Sequence, residues 1–240
     1  MDVHEPYIAE DSYLSKIDLS INLSKDEMFA MFKDVVLPRD ISDPNKVDTL
    51  KKLYMAKVAE TDDYLKKLFD IFKSHNLLDN STIIITSDHG DEFSEHKGLS
   101  HDGKMYNELV NVPLLVYNSS FHSSVVDKPV SLIDLPPTIC SMFGVDPAKS
   151  FKGKSLYPFD LIKPYTLYGE AMGKIGHKEQ DTDKPIHYIV EDGIKAIYKE
   201  DGSLWEAYDI NSDPGDTKDI SPSLPEDKKD KLGSFIARNK

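Results

Sequence analysis

Residues 82–93 read Thr-Ile-Ile-Ile-Thr-Ser-Asp-His-Gly-Asp-Glu-Phe, and this stretch decides the class of fold. Its first five residues, 82–86, are β-branched with three isoleucines at the centre, a pattern typical of a strand that is buried on both faces, as in parallel sheets. A polar loop, from Asp88 to Gly103, follows the strand directly. Open α/β sheets bind their ligands beyond the carboxyl ends of such strands. The stretch therefore predicts an α/β fold with a functional site in this loop.

Helix and strand patterns continue on both sides of residues 82–86. Apolar residues recur at helical spacing before the strand, and Ser24 with Glu27 forms a capping-box pattern that starts a shorter helix. The predicted helices cover 24–32, 45–75 and 131–143, the last beginning near Asp134, and the further predicted strands cover 113–117 and 165–168. This order predicts a mixed or mainly parallel sheet flanked by helices.

The C-terminal part of the chain changes character. Its predicted strands are short and lie at 188–190, 194–198 and 205–209, and the hairpin signals Asp192-Gly193 and Asp201-Gly202 separate them. We therefore expect a partial α/β domain over residues 1–180. A small antiparallel sub-domain with a tail is expected over 181–240, with its sheet between about Lys184 and Ile210.

The composition excludes several classes of protein. The chain has 240 residues and a net charge of −13, and its only arginines are Arg39 and Arg238, so a nucleic-acid partner is not expected. A single cysteine, Cys140, excludes an internal disulfide. No apolar run is long enough to span a bilayer. The first residues lack the basic and apolar regions of a signal peptide, which favours a cytoplasmic location.

The loop after residue 86 carries candidate metal ligands. Asp88 and His89 place a carboxylate oxygen and an imidazole nitrogen side by side, and such a pair suits a divalent cation such as Ca²⁺, Mg²⁺, Mn²⁺ or Zn²⁺. Gly90 lets the backbone turn without a Cβ clash. The alternative interpretation is a strand-terminating turn with a polar cap, and spacing alone does not decide between the two.

Three further residues are candidates for binding an anion or moving a proton. His101 and Lys104 follow in the same loop and could bind an anionic ester, one by hydrogen bonding and the other as a point charge. The alternative is an exposed loop, which commonly carries such residues. His4 lies near the N-terminus, where a lone histidine is more often a solvated side chain than a catalyst.

Seven segments of the chain carry motifs in a fixed order. They are His4-Glu5-Pro6-Tyr7, the helix pattern 54–68, residues 82–96, 101–116 (with Tyr106, Glu108, Val112 and Pro113), 131–138, 151–156 and 205–220. Together they resemble the C-terminal part of a sulfatase, in the alkaline phosphatase superfamily. The resemblance implies an incomplete sulfatase α/β sheet flanked by helices, followed by a small antiparallel sub-domain.

The resemblance also implies roles for the candidate residues. Asp88 and His89 match metal ligands, with Ca²⁺ expected first and Mg²⁺, Mn²⁺ or Zn²⁺ as alternatives. His101 matches a histidine close to the substrate or metal, and Lys104 lies near the position of an anion-binding lysine. His4 matches a histidine that acts on the leaving oxygen of the ester, as a general acid does.

The chain departs from the family pattern at the nucleophile. Sulfatases carry paired aspartates and a Cys-x-Pro-x-Arg or Ser-x-Pro-x-Arg motif whose first residue becomes formylglycine. Neither Arg39 nor Arg238 completes that motif, because Val35 stands four residues before the first and Ile236 takes the proline position before the second. Formylglycine is therefore not expected in this chain. We expect an upstream polypeptide to supply the missing half, or the chain to self-associate.

The implied function is metal-dependent hydrolysis of sulfate esters, with an anionic ester as substrate. Hydrolysis of a phosphate or phosphonate ester, or phosphoglycerol-type transfer, is the alternative within the same chemistry. A different alternative is a degenerate paralogue that binds a metal, an anion or a partner without turnover. Because no residue matches the nucleophile, we expect little or no activity from this chain alone.

Overall fold

Three α-helices precede the first strand in the part of the chain that the structure describes. They are α1 (Asp11–Ile17), α2 (Lys25–Met31) and α3 (Pro44–Ser74), and a short π-helical segment, Phe32–Val36, continues α2. The capping box that the sequence predicts is present at the start of α2, where the Ser24 hydroxyl accepts from the Glu27 amide at 3.3 Å and the Glu27 carboxylate accepts from the Ser24 amide at 2.8 Å. The predicted long helix is confirmed as α3.

The structure, a computed structural model, describes residues 3–18, 20–101, 103–172, 184–200, 202 and 204–238. Contacts divide it into two units: the first comprises Met1–Asp102 and Glu108–Phe121, the second Gly103–Asn107 and His122–Lys240. The domain boundary predicted at residue 180, and Asp201 of the second hairpin signal, lie outside the described residues.

The first unit contains the strand that decides the fold. The strands are β1 (Thr82–Thr86), β2 (Glu92–Phe93), β3 (Leu99–Ser100) and β4 (Leu114–Asn118). β1 pairs with β4 and β2 pairs with β3, both antiparallel. The predicted mixed or mainly parallel sheet is wrong, because every strand pair among the described residues is antiparallel. A parallel pair needs a long crossover, usually a helix, whereas the one described helix between β1 and β4, α4 (Asn107–Val110), has a single turn.

The core of the first unit lies between its helices and the loop after β1. Its buried side chains include Tyr7, Leu14, Met28, Val35, Leu50, Leu53, Phe93 and Leu99. The strand β1 is not part of this core, since Thr82, Ile83, Ile84 and Ile85 are only half-buried and Thr86 is exposed. The burial of both faces that the isoleucine run predicts is therefore absent from the described part of the chain.

The second unit is built on a four-stranded antiparallel sheet. Its helix α5 (Leu135–Met142) precedes β5 (Leu167–Met172), β6 (Pro185–Glu191), β7 (Ile194–Lys199) and β8 (Trp205–Asp209), and α6 (Glu226–Arg238) closes the chain. The strands pair in chain order. The predicted hairpin at Asp192-Gly193 is confirmed by φ angles of 52° and 78°. The strand predicted at 165–168 is expected in the α/β domain, but its last two residues lie in β5, which pairs with β6 and belongs to this sheet.

A buried ion pair stabilises the second unit. Lys195 Nζ donates to Asp216 Oδ2 at 2.6 Å and to Asn107 Oδ1 at 2.8 Å, and both charged side chains are fully buried.

Among all the residues that the structure describes, no helix is both long and apolar enough to cross a lipid bilayer.

Candidate active site

The loop after β1 is held in place through its backbone. The Ser87 hydroxyl donates to the carbonyl of His89 at 2.6 Å, and the amide of Gly90 donates to the carbonyl of Leu109 at 2.9 Å. A Cβ atom on Gly90 would lie 2.1 Å from the carbonyl oxygen of Glu108, so only glycine fits here. This close contact fixes the backbone at Gly90 and so the positions of its two chain neighbours, His89 and Asp91.

Three side chains of the first unit form a cluster with metal-binding donors. His89, Asp91 and His101 each place one ligand atom within 4.8 Å of the other two. The His89 and His101 rings stack with their centroids 4.4 Å apart, and the His4 ring meets His101 edge-on at 5.2 Å. Two imidazoles and a carboxylate are donors that divalent transition metals accept. The cluster therefore brings together His89 and His101, and His4, the third histidine that the sequence singled out, contacts it through His101.

Asp91 connects the cluster to the core. Its Oδ1 lies 3.0 Å from His101 Nδ1, and its Oδ2 accepts a hydrogen bond from the Tyr7 hydroxyl at 2.8 Å. The Tyr7 ring is buried against Tyr54 and Phe93. Burial, and then the charge of Asp91, raises the pKa of Tyr7 far above its usual value, so its hydroxyl keeps the proton that it donates.

Asp88 lies beside the cluster but is not a member of it. Its side chain is 89% exposed, and Oδ2 is 3.9 Å from His89 Nε2. Desolvation acts to raise the pKa of this carboxyl, but the charge of His89 and hydrogen bonds from backbone amides outweigh it, and the pKa is lowered. Asp88 is therefore an ionised, accessible carboxylate next to an imidazole whose Nδ1 is 3.0 Å from the Gly90 carbonyl oxygen.

The short hairpin of β2 and β3 supports the far side of the loop. The buried Glu92 carboxylate accepts hydrogen bonds from the amides of His96 at 2.9 Å and Gly98 at 2.6 Å. In the strand register, Glu92 pairs with Ser100. His96 Nδ1 also lies 2.7 Å from Glu108 Oε1. These bonds order the segment between the two strands and place His101 directly after β3.

The sequence-predicted residues differ in how far the structure brings them together. His89 and His101 share one cluster, which His4 and Asp88 adjoin. Lys104 is half-buried and belongs to the second unit, so its role as an anion-binding residue stays a prediction. Sequence reasoning assigned no role to Tyr7 or Asp91, although both stand inside quoted motifs, because they are 84 residues apart in the chain.

The sequence matches a family model over more than half of its length. The Sulfatase family model matches residues 3–145. The chain therefore belongs to the sulfatase family, and with it to the alkaline phosphatase superfamily.

Curated relatives support the same family. The chain is 26% identical over 195 residues to Arylsulfatase K of Bos taurus, an alignment that covers 75% of this chain and 35% of the relative. It is also 26% identical over 172 residues to the sulfatase YidJ of Escherichia coli K12, covering 70% of this chain and 33% of the relative. The chain thus spans about a third of the length of these relatives.

Solved structures share the fold. BT4656, solved in complex with its substrate D-glucosamine-2-N,6-O-disulfate, superimposes with a TM-score of 0.65 at 21% identity, covering 90% of this chain and 46% of that one. A phosphonate monoester hydrolase from Silicibacter pomeroyi gives a TM-score of 0.69 at 17% identity, covering 85% and 42%. The predicted fold class is confirmed: the chain has the sulfatase fold over about half the length of these structures.

Proposed function

We propose that this chain carries part of the active centre of a metal-dependent hydrolase that cleaves sulfate esters. The observation that carries the proposal is the cluster of His89, Asp91 and His101 in the loop that follows β1 of a sulfatase-family chain. The loop is fixed at Gly90, and three of its polar side chains converge, as a preorganised site requires.

The donors present fit a divalent cation. Two donors would hold it, the imidazole of His89 within the cluster and the ionised carboxylate of Asp88, which lies beside the cluster. The nitrogen donor suits Mn²⁺ or Zn²⁺ as well as the oxygen-preferring Ca²⁺ expected first from the sequence. When bound, such a cation supplies positive charge that stabilises the charge developing on the ester oxygens.

The remaining residues serve the anionic ester. We assign His4, which is in edge-on contact with His101, the role of general acid toward the leaving oxygen, and His101 the role of binding the ester by hydrogen bonding. Lys104 is proposed to bind the anion as a point charge. These roles account for leaving-group protonation and substrate orientation, but they supply no nucleophile.

Metal binding tests the first part of the proposal. Tight sites for hard cations use about six or more oxygen ligands, and zinc sites use about four ligands. With fewer donors, this chain should bind Ca²⁺, Mg²⁺, Mn²⁺ or Zn²⁺ weakly in isothermal titration, and Asp88→Ala or His89→Ala should weaken it further. Tight stoichiometric binding that Asp88→Ala abolishes would show that the chain recruits more ligands than we infer.

Turnover tests the second part. General acid catalysis contributes about 10²- to 10⁴-fold, whereas enzymes commonly supply about 10⁶-fold or more, so the purified chain should show little hydrolysis of a chromogenic aryl sulfate. Activity that appears only on adding an upstream polypeptide would support a two-part enzyme. Activity of the chain alone that His101→Ala removes would contradict our assignment and point to Ser87, Ser94 or Ser100 as a nucleophile.

Hydrolysis of a phosphonate or phosphate ester is the second candidate. The observation behind it is that the chain shares its fold with a phosphonate monoester hydrolase, at a TM-score of 0.69, as well as with BT4656, at 0.65. Parallel assays separate the two candidates. The chain, together with an upstream polypeptide that makes it active, is given aryl sulfate, aryl phosphate and aryl phosphonate monoesters. A preference for the phosphonate would overturn the sulfate assignment while leaving the metal-dependent hydrolase in place.

A further inference from the structure

The carboxylate of Asp91 uses both of its oxygens within the first unit. Oδ1 lies 3.0 Å from His101 Nδ1, and Oδ2 accepts from the Tyr7 hydroxyl at 2.8 Å. The Asp91 side chain is only 7% exposed, so these partners, rather than water, satisfy most of its hydrogen-bonding capacity. Because Tyr7 is itself wedged between Tyr54 and Phe93, the orientation of the carboxylate is set by the core.

An ionised carboxylate only accepts hydrogen bonds, and this fixes the proton on the imidazole. His101 must carry hydrogen on Nδ1 to bond with Asp91, and in the neutral ring this leaves a lone pair on Nε2. Ser100 Oγ also lies 3.0 Å from the same Nδ1. With the proton on Nδ1, the serine oxygen is an acceptor or directs its own proton elsewhere.

The arrangement differs from a Ser-His-Asp relay. In such a relay, the serine and the carboxylate bond to opposite nitrogens of the ring, so that the imidazole passes a proton between them. Here Ser100 and Asp91 meet the same nitrogen, and the Ser100 side chain is buried. Ser100 is therefore poorly placed to be activated by His101, and the geometry leaves Nε2 for another function.

We propose that Asp91 is a positioning residue that, with Tyr7 holding its second oxygen, fixes His101 in the Nδ1–H tautomer and keeps Nε2 as an acceptor or ligand atom beside His4 and His89. This deepens the proposed function, because it assigns how His101 is prepared for the ester or the cation. Histidines that bind metals commonly donate their other N–H to a carboxylate in this way. The alternative role for Asp91 is that of a direct metal ligand.

The test measures the tautomer of His101 without metal or substrate. The full chain labelled with ¹⁵N-histidine is observed by long-range ¹H–¹⁵N correlation at a pH above the usual imidazole pKa, and His101→Gln identifies the resonances. We expect the Nδ1–H form in the unsubstituted chain. Asp91→Ala should convert His101 largely to the Nε2–H form, in which the Ser100 hydroxyl donates to Nδ1, and Tyr7→Phe should give a mixture.

Controls separate this effect from loss of structure. Asp88→Ala removes a carboxylate that bonds to the backbone amide of His89 and should leave the His101 tautomer unchanged. Backbone ¹H–¹⁵N spectra show whether each variant is folded, and Tyr7→Phe provides a milder perturbation if Asp91→Ala unfolds. A Nε2–H form in the unsubstituted chain, or a tautomer that neither substitution alters, would overturn the proposal. Absence of turnover would not overturn the proposal, because the tautomer is measured without substrate.

Discussion

Gly90 shows how a single missing side chain shapes the candidate site. Its alanine variant would place a Cβ 2.1 Å from the Glu108 carbonyl oxygen, which is backbone and cannot swing away. We expect Gly90→Ala to lower the free energy of unfolding by about 1–3 kcal/mol, the usual range for overpacking. Denaturant titration measures the loss.

Gly233 provides the matched control for this prediction. It lies in α6, and a Cβ there meets nothing within 4 Å. Alanine is the better helix former by up to about 1 kcal/mol, so Gly233→Ala should be neutral or stabilising. Equal losses in the two variants would show that the close contact at Gly90 is not the cause.

Lys195 illustrates the consequence of burying a charge. Removing it would leave the buried Asp216 carboxylate without the ammonium group that lies 2.6 Å away. We expect Lys195→Ala to destabilise the chain by about 3–5 kcal/mol, as breaking buried pairs does. The exposed pair of Lys66 and Asp70 in α3 is the comparison, and Lys66→Ala should leave the unfolding midpoint unchanged.

At the scale of elements, α3 has one side that is buried in its first half and uncovered in its second. Leu50 and Leu53 are 2% and 1% exposed, whereas Leu68 and Ile71 are 36% and 54% exposed. Each residue of the second pair follows its counterpart by five helical turns and so projects from the same side of the helix. An apolar side that continues past the described core is typical of a surface that another polypeptide covers.

Association through this surface is the expected outcome. The double variant Leu68→Lys and Ile71→Lys should lower the sedimentation coefficient if the isolated chain self-associates, with little change in unfolding, because both side chains are exposed. Leu53→Lys, five turns before Ile71, is the matched control and should unfold the first unit, since it buries an unpaired charge. Sedimentation that is the same with and without the double substitution would contradict this prediction.

Elements set by local chemistry were predictable, and those set by distant contacts were not. The Ser24–Glu27 capping box and the Asp192-Gly193 turn involve neighbouring residues, and both are confirmed. The direction of the β1–β4 pair depends on how residues 87–113 return, which the strand pattern does not encode. The bond between Tyr7 and Asp91 crosses 84 residues, so no local signal marked it.

At the scale of the whole molecule, several tyrosines resist ionisation in both units. Burial and adjacent carboxylates raise the pKa of Tyr7, Tyr165 and Tyr208 well above the usual value, and burial with the charge of Glu170 raises the pKa of Tyr168 to about 12. The folded state thus favours the neutral phenols. Their contribution to stability is complete below the unfolded pKa of about 10 and is lost as the pH rises through the folded values.

Alkaline unfolding measures this contribution. The free energy of unfolding should fall from about pH 10 upward, and the part of the tyrosinate absorbance that comes from Tyr7, Tyr165, Tyr168 and Tyr208 should rise together with the loss of structure rather than before it. Tyr208→Phe removes one donor to Glu206 and should make the alkaline fall shallower. A chain whose tyrosines all ionise near pH 10 while still folded would contradict the assigned burial.

The length of α3 has a further consequence for how the first unit opens. Its 31 residues extend about 46 Å, and only the first half is anchored in the described core. Amide hydrogens along this one helix should therefore exchange with solvent on a gradient, slow around Leu53 and progressively faster toward Ile71, because local opening is easiest where few buried contacts oppose it. A polypeptide that covers the second half would level the gradient, so the exchange profile of a single helix reports whether another polypeptide is bound to it.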